Sequence, residues 1–170
     1  GLTKMIHNPI IWSGENQMTG DTIHLVNNPE TNKLDSLKVF YNVFLVQKDS
    51  IDGFNQVKGK ELYGKFNEKN ELYNVDILKN TESIFYVRED DGTLTGIDKS
   101  LSSAINLTLV NNEIEEITRV KKIEGKVYPE SQFPENARRL RGFIWRGDER
   151  LLTKEDLFKD DPPLELPTIK

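Results

Sequence analysis

A chain of 170 residues and 19.6 kDa is long enough for one domain with a substantial buried core. Lys and Arg number 23 against 28 Asp and Glu, and the formal net charge of −5 argues against a general nucleic-acid binder, because phosphate affinity draws on a basic surface. Cysteine is absent, which removes disulfides, thiolate nucleophiles and cysteine metal sites, and no apolar run approaches the ~20 residues of a membrane-spanning helix.

Gly1-Leu2-Thr3-Lys4 leads directly into strand-like sequence, with no charged and apolar leader of the secretory kind. Either the protein is cytosolic or a leader has been removed. The repeats favour the second reading, because Asn8-Pro9-Ile10-Ile11 resembles Asn42-Val43-Phe44-Leu45 and the chain therefore opens on the tail of an earlier unit.

The clearest repeat is Asn16-Gln17-Met18-Thr19-Gly20-Asp21-Thr22-Ile23, echoed at an offset of 39 by Asn55-Gln56-Val57-Lys58-Gly59-Lys60-Glu61-Leu62. Each copy leads through a turn to a second run, Asn32 to Val39 and then Asn70 to Ile77, at an offset of 38. A weaker third copy passes through Ile105 to Leu109 and Asn112 to Ile117, with Ser102 where the other units have Gly. Within each unit the apolar period is two, as in Leu37, Val39, Tyr41, Val43 and Leu45, which predicts strands. Phe40, Phe44 and Val46 make the other face of that strand partly apolar as well, so something is expected to cover it.

Turn chemistry at Asn27-Asn28-Pro29, Asp52-Gly53, Asn67 to Asn70, Asp91-Gly92 and Asn111-Asn112 separates about a dozen short strands in an antiparallel meander. Gly20, Gly59 and Gly64 inside strands predict bulges or sharp bends, hence a curled sheet.

Strand alternation stops near Pro129, dividing the chain into a β-region over residues 4–128 and a C-terminal arm over 129–170. Pro134 to Leu140 predicts one helical turn, and Thr153 to Phe158 a second, with Thr153 as N-cap and Asp156 three residues on. Asp161-Pro162-Pro163 ends it, with an extended or disordered tail beyond. Five of the seven arginines, Arg138, Arg139, Arg141, Arg146 and Arg150, fall in this arm. One reading makes them a docking arm for phosphate or carboxylate groups; the other pairs them with acids of their own domain while Phe143, Ile144, Trp145 and Phe158 pin the arm down.

Catalytic constellations are sparse. His7 and His24 lie in different units without the partners of a triad or a zinc site. The stretch Gly53 to Glu61 has five residues between its glycines, one too many for a phosphate loop, and Glu61 stands where a magnesium-binding hydroxyl is needed. Glu89-Asp90-Asp91-Gly92 lacks the spaced oxygen ligands of a calcium loop. Asn106-Leu107-Thr108 matches a glycosylation acceptor but sits in a strand pattern. No cofactor or metal is expected.

Taken with the recurrence of Asn16 to Ile23 at Asn55 to Leu62, the segments Asn8-Pro9-Ile10-Ile11-Trp12 and Asn70-Glu71-Leu72-Tyr73-Asn74-Val75 give the chain, over roughly residues 4–120, a pattern that resembles the OstA-like family. That family is related to the periplasmic lipopolysaccharide transport protein LptA and the N-terminal domain of LptD. The tail around Arg141-Gly142-Phe143-Ile144-Trp145-Arg146 resembles the ends of some long OstA-like proteins and is absent from short LptA-type bridges.

The resemblance implies an all-β fold: a twisted, V-shaped antiparallel β-jelly roll of repeated strand pairs, open along one side, followed by a short, partly helical or extended arm. Its apolar interior would take lipid acyl chains, each CH₂ removed from water contributing about 0.8 kcal/mol. Alternation and alignment of the units place Ile23, Leu25, Leu37, Val39, Leu62, Phe66, Val75, Ile77, Ile105, Leu107 and Leu109 inside the roll, as packed core or as lipid contacts, with Phe40, Phe44 and Phe85 on opposite faces. The implied role is non-catalytic: a periplasmic domain that binds or passes lipopolysaccharide or lipid A, as a fragment of a longer chain. Its implied partners are other transport proteins or further copies of itself, stacked by edge strands. The alternatives are an envelope interaction module with a filled core, docking by edge strands or the Arg-rich arm, and, more remotely, a carbohydrate-active enzyme with two carboxylates across a cleft.

Overall fold

The computed structural model describes residues 1–50 and 53–158. These form one antiparallel meander of ten strands: β1 (Leu2–Ile6), β2 (Ile10–Ser13), β3 (Asn16–Thr19), β4 (Thr22–Asn27), β5 (Leu34–Lys48), β6 (Phe54–Phe66), β7 (Leu72–Arg88), β8 (Leu94–Val110), β9 (Glu113–Val120) and β10 (Glu124–Tyr128). No α-helix occurs among the described residues. The expected dozen short strands are therefore ten, because β5 to β8 run on for 13 to 17 residues where a sheet strand commonly has about six.

Each long strand bends near its middle, where the pairing register shifts: between Phe40 and Val43, between Lys58 and Glu61, and between Leu78 and Thr81. The bend line divides the meander into two half-sheets. The first is ordered β1-β4-β5-β6-β7-β8-β9, and the second β2-β3-β5-β6-β7-β8-β10.

Two kinds of residue make the bends. In one strand direction two consecutive residues enter the left-handed region: His7-Asn8, Tyr41-Asn42, Lys79-Asn80 and Lys121-Lys122, with φ between 46° and 69°. In the other direction the bends fall at Gly20, Gly59 and Ser102. A Cβ at Gly59 would lie 2.7 Å from Ile77 Cγ2 and 3.0 Å from the Leu78 carbonyl oxygen, so the strands can close up there only without a side chain. Ser102 in the third unit fits because its hydroxyl meets that of Thr81 at 2.7 Å. Gly64 is not a bend. It pairs with Leu37 and Val75 in unbroken register, and a Cβ there would lie 2.8 Å from Leu72 Cδ1, so it makes room for core packing. The repeated Asn32, Asn70 and Asn112 all adopt positive φ where each hairpin turn enters the next strand, the conformation that asparagine tolerates best after glycine.

The inner faces of the two half-sheets fold onto each other. Their shared core takes Ile23, Leu37, Val39, Leu62, Val75, Ile77, Ile105 and Leu107 from the first half and Met18, Leu45, Val57 and Phe85 from the second. This is the twisted, folded-over sheet of a jelly-roll-like fold. Phe85, expected on the opposite face, belongs to this interior: alternation runs through the bend from Ile77, so the odd-numbered residues of β7 stay inside. Tyr41, expected in register with Val39 and Val43, is instead exposed, because it forms the bend.

A second core lies on the outer face of the second half-sheet. Phe44, Val46, Phe54, Ile84, Tyr86 and Ile97 are covered there by Phe133 and Leu140, with Phe143 and Trp145 packed alongside. The segment after Tyr128 is thus a strap laid across the strands, and it supplies the cover that the two-faced apolar pattern of β5 demanded. Its described residues contain only short 3-10 turns, at Glu130–Gln132, Glu135–Ala137, Gly147–Glu149 and Glu155–Phe158. Thr153 behaves as expected at the last of these: Asp156 Oδ2 accepts from its amide and the Thr153 hydroxyl accepts from the Asp156 amide. The Asp161-Pro162-Pro163 stop, the tail and Asp52 of the Asp52-Gly53 turn lie outside the described residues.

Candidate functional site

The eleven residues expected inside the roll are inside it. Nine of them, Ile23, Leu37, Val39, Leu62, Val75, Ile77, Ile105, Leu107 and Leu109, are at most 3% exposed, and Leu25 and Phe66 are half-buried against them. They form register rows that cross the first half-sheet. One runs Met5, Ile23, Val39, Leu62, Ile77, Ile105, and the next Leu25, Leu37, Gly64, Val75, Leu107, Ile117. Of five surface clefts among the described residues, only the one beside Phe66 touches any of the eleven.

Polar contacts tie the two halves together at the ends of this interior. The first row finishes at Arg119 of β9, whose guanidinium reaches Asp98 of the other half-sheet at 2.9 Å and lies 5.7 Å from the centre of the Phe85 ring. The β2–β3 hairpin of the second half meets the β8–β9 turn of the first: the Ser13 hydroxyl donates to Asn112 Oδ1 at 2.8 Å, and Asn16 Nδ2 donates to the Asn112 carbonyl. The expected opening along one side is fastened at these two places.

Edges remain. β1 pairs only with β4, β2 only with β3, and β9 and β10 only with β8, so unpaired backbone stands at both ends of the roll among the described residues. The two ends differ in chemistry. β1 and β2 carry Leu2, Met5, Ile6, Ile10, Ile11 and Trp12, whereas β9 carries Glu113, Glu115, Glu116 and Arg119, and β10 carries Glu124 and Lys126. Charged side chains on an edge blunt its pairing with like edges without forbidding a complementary one, so the β1–β2 end is the more receptive edge for a neighbour's strand.

The strap is held by two side chains that motif reading passed over. Gln56, fully buried on β6, donates from Nε2 to the Arg138 carbonyl at 2.8 Å and accepts the Leu140 amide on Oε1 at 2.9 Å. Gln17, fully buried on β3, donates to the Ile144 carbonyl and accepts the Arg146 amide, both at 2.7 Å. Each primary amide pairs with strap backbone as a neighbouring strand would. The signal was present in the repeat, since Gln17 and Gln56 are equivalent residues of the two copies, each preceded by an Asn whose side chain faces the interior instead.

Four of the five strap arginines are engaged within the chain. Arg138 lies 3.4 Å from Glu135, Arg139 stacks over Phe54 and Phe143 at 4.6 and 4.8 Å, Arg146 pairs with Glu149 and donates to the Asn8 carbonyl, and Arg150 pairs with Glu15 beside Trp12. The hydrogen bond from Arg146 holds the Glu149 carboxyl below the ordinary carboxylate range and raises the guanidinium in turn. Arg141 alone is exposed with no hydrogen bond or ion pair among the described residues. Of the two histidines, His24 packs edge-on to Phe40 at 5.2 Å, and no group of three metal-ligating side chains occurs among the described residues. In comparisons with known proteins, the chain matches no family model, no curated protein and no solved structure.

Proposed function

We propose that this chain is a non-catalytic structural module of an OstA-like lipopolysaccharide-transport assembly in the periplasm, acting by edge-to-edge docking of its β1–β2 end onto a neighbouring β-unit. The observation that supports this reading is the filled interior. The residues an acyl chain would have to touch already touch one another, the two halves are fastened by Asn112 and by Arg119–Asp98, and the unpaired apolar strands lie at one end. Main-chain pairing along such an edge supplies affinity without any pocket.

A second reading, passage of a lipid acyl chain through the interior, draws on the unbroken apolar row from Ile105 to Met5, which reaches the same end. Entry would require the half-sheets to part.

Two measurements separate the readings. Because the chain has no cysteine, Thr3→Cys together with Thr118→Cys places a thiol on β1 and one on β9. On mild oxidation the docking reading expects a ladder of cross-linked chains that forms faster than from a Lys33→Cys, Lys69→Cys control in exposed turns. Titration with lipid A against a neutral detergent, followed by tryptophan fluorescence and native mass spectrometry, is expected to show no uptake beyond the detergent. Saturable lipid A binding at fixed stoichiometry, with no ladder, would overturn the docking reading in favour of carriage.

A further inference from the structure

Beside the strap, on the same outer face, lies an unfilled track. One register row below the Gln17 and Gln56 grips, Thr19, Phe44, Lys58, Glu82, Leu101 and Glu124 align across six strands. Four surface clefts of about 260 to 470 Å³ follow this row and share lining residues, so they run end to end between the bend line and the strap. Five strand spacings make the trough about 24 Å long, enough for about seven residues of extended chain.

Its charge is opposite to that of the protein. Seven Lys and Arg side chains line the trough against three carboxylates, Asp21, Glu82 and Glu124, a local excess of four positive charges on a chain whose net charge is −5. Lys58 is paired with Glu82 at 2.9 Å, but the side chains of Lys60, Lys99, Lys122 and Arg141 make no hydrogen bond or ion pair among the described residues.

Its amides repeat the strand spacing of those that hold the strap. Gln17 and Gln56 sit two strands apart, with β5 between them, and each takes one peptide carbonyl and one peptide amide. Asn42 on β5 and Asn80 on β7 are also two strands apart, with β6 between them, and both are exposed along the bend side of the trough. Asn42 spends its Nδ2 on Asp21 and keeps its side-chain carbonyl oxygen, while the Asn80 side chain makes no hydrogen bond among the described residues.

We propose that this trough binds an extended acidic peptide segment of a partner protein, running alongside the strap, with backbone held by Asn42 and Asn80 and carboxylates met by Lys60, Lys99, Lys122 and Arg141. This surface is distinct from the β1–β2 edge, so the proposal stands apart from the docking reading above.

The test is fluorescence anisotropy with a labelled decapeptide of alternating Glu and Ala, at low and at physiological salt. Saturable binding is expected, weakened about tenfold or more by Lys60→Glu with Arg141→Glu, since reversing charge at a complementary surface both removes attraction and adds repulsion. Asn42→Gly with Asn80→Gly keeps the left-handed backbone while deleting the amides, and is expected to weaken binding several-fold with an unchanged circular dichroism spectrum. Lys33→Glu with Lys69→Glu, in distant turns, is expected to change nothing. Absence of binding, equal loss in the distant-turn control, or equal affinity for a sulfated hexasaccharide would each overturn the proposal, the last by reassigning the trough to polyanions at large.

Discussion

Gln17 and Gln56 occupy the same position in two successive repeats, and each pairs its side-chain amide with the backbone of the strap, six residues earlier along it in the second case. A side-chain amide thus does at two points what a strand edge does continuously. The strap can therefore cross the sheet at an angle no ladder would permit, and bring Leu140, Phe143 and Trp145 down onto Phe44, Phe54 and Ile84.

Removing a grip leaves strap backbone groups unpaired under apolar cover. Gln56→Leu keeps the volume and strands the Arg138 carbonyl and the Leu140 amide, at a cost of about 1–3 kcal/mol for each group that stays buried. Gln17→Leu should cost less, because neither of its strap hydrogen bonds is fully buried, whereas that from Leu140 to Gln56 is. Urea denaturation followed by tryptophan fluorescence should rank Gln56→Leu below Gln17→Leu and both below the parent. Losses under about 0.5 kcal/mol for both would show that the strap is held by its apolar side chains alone.

The bends store strain in one strand direction and close approach in the other. Lys121 is exposed and left-handed, its carbonyl accepts the Ser103 amide at 3.0 Å, and its side chain makes no hydrogen bond or ion pair among the described residues, so Lys121→Gly keeps the backbone bond and relieves about 1–2 kcal/mol of backbone strain against the extra entropy of an unfolded glycine. A net gain of up to about 1 kcal/mol is expected. Gly59→Ala is expected to act in the opposite sense, since its methyl would press on Ile77 and the Leu78 carbonyl. A parallel pair of denaturation curves checks both signs, and a stabilised Gly59→Ala would mean that the bend opens freely.

Much of this architecture was legible because a period of two and a repeated turn residue are local signals. Leu37, Val39, Val75, Ile77, Ile105 and Leu107 alternate, and Asn32, Asn70 and Asn112 punctuate, whatever the rest of the chain does. The bends at Tyr41-Asn42 and Lys79-Asn80 were not legible, because consecutive left-handed non-glycine residues carry no composition of their own and are imposed by the way the half-sheets fold together. Gly64 misled for a related reason: a glycine that admits Leu37 and Leu72 has the same sequence signature as one that turns the strand. The arginine cluster left two readings, a docking arm or one paired with acids of its own domain, and most of it is spent on Glu135, Phe54, Glu149 and Glu15, partners distributed along the chain that only the crossing strap brings near. The glutamine grips were visible as a repeated Asn-Gln pair, but what each residue faces depends on the strap, which lies more than eighty residues away.

The far end of the strap should respond to acid in a defined window. Arg146 holds the Glu149 carboxyl below its usual range, and a group whose folded pKa is depressed contributes stability that is complete above its unfolded pKa and lost as pH falls through the folded one. The unfolded carboxyl titrates near about 4.3, so the contribution of the pair persists from neutral pH down to about that value and disappears below it. Its size is small, because Glu149 is exposed and solvent screens the pair. Glu149→Gln removes the titrating group while keeping the side chain's length. The difference in urea midpoint between parent and Glu149→Gln should therefore be flat from about pH 7 to pH 5 and should close toward zero only below the ordinary carboxylate range. Closure of that difference already between about pH 6 and pH 5 would show that a different group, titrating above the carboxylates, governs the seating of Trp145 against Trp12 and Phe54.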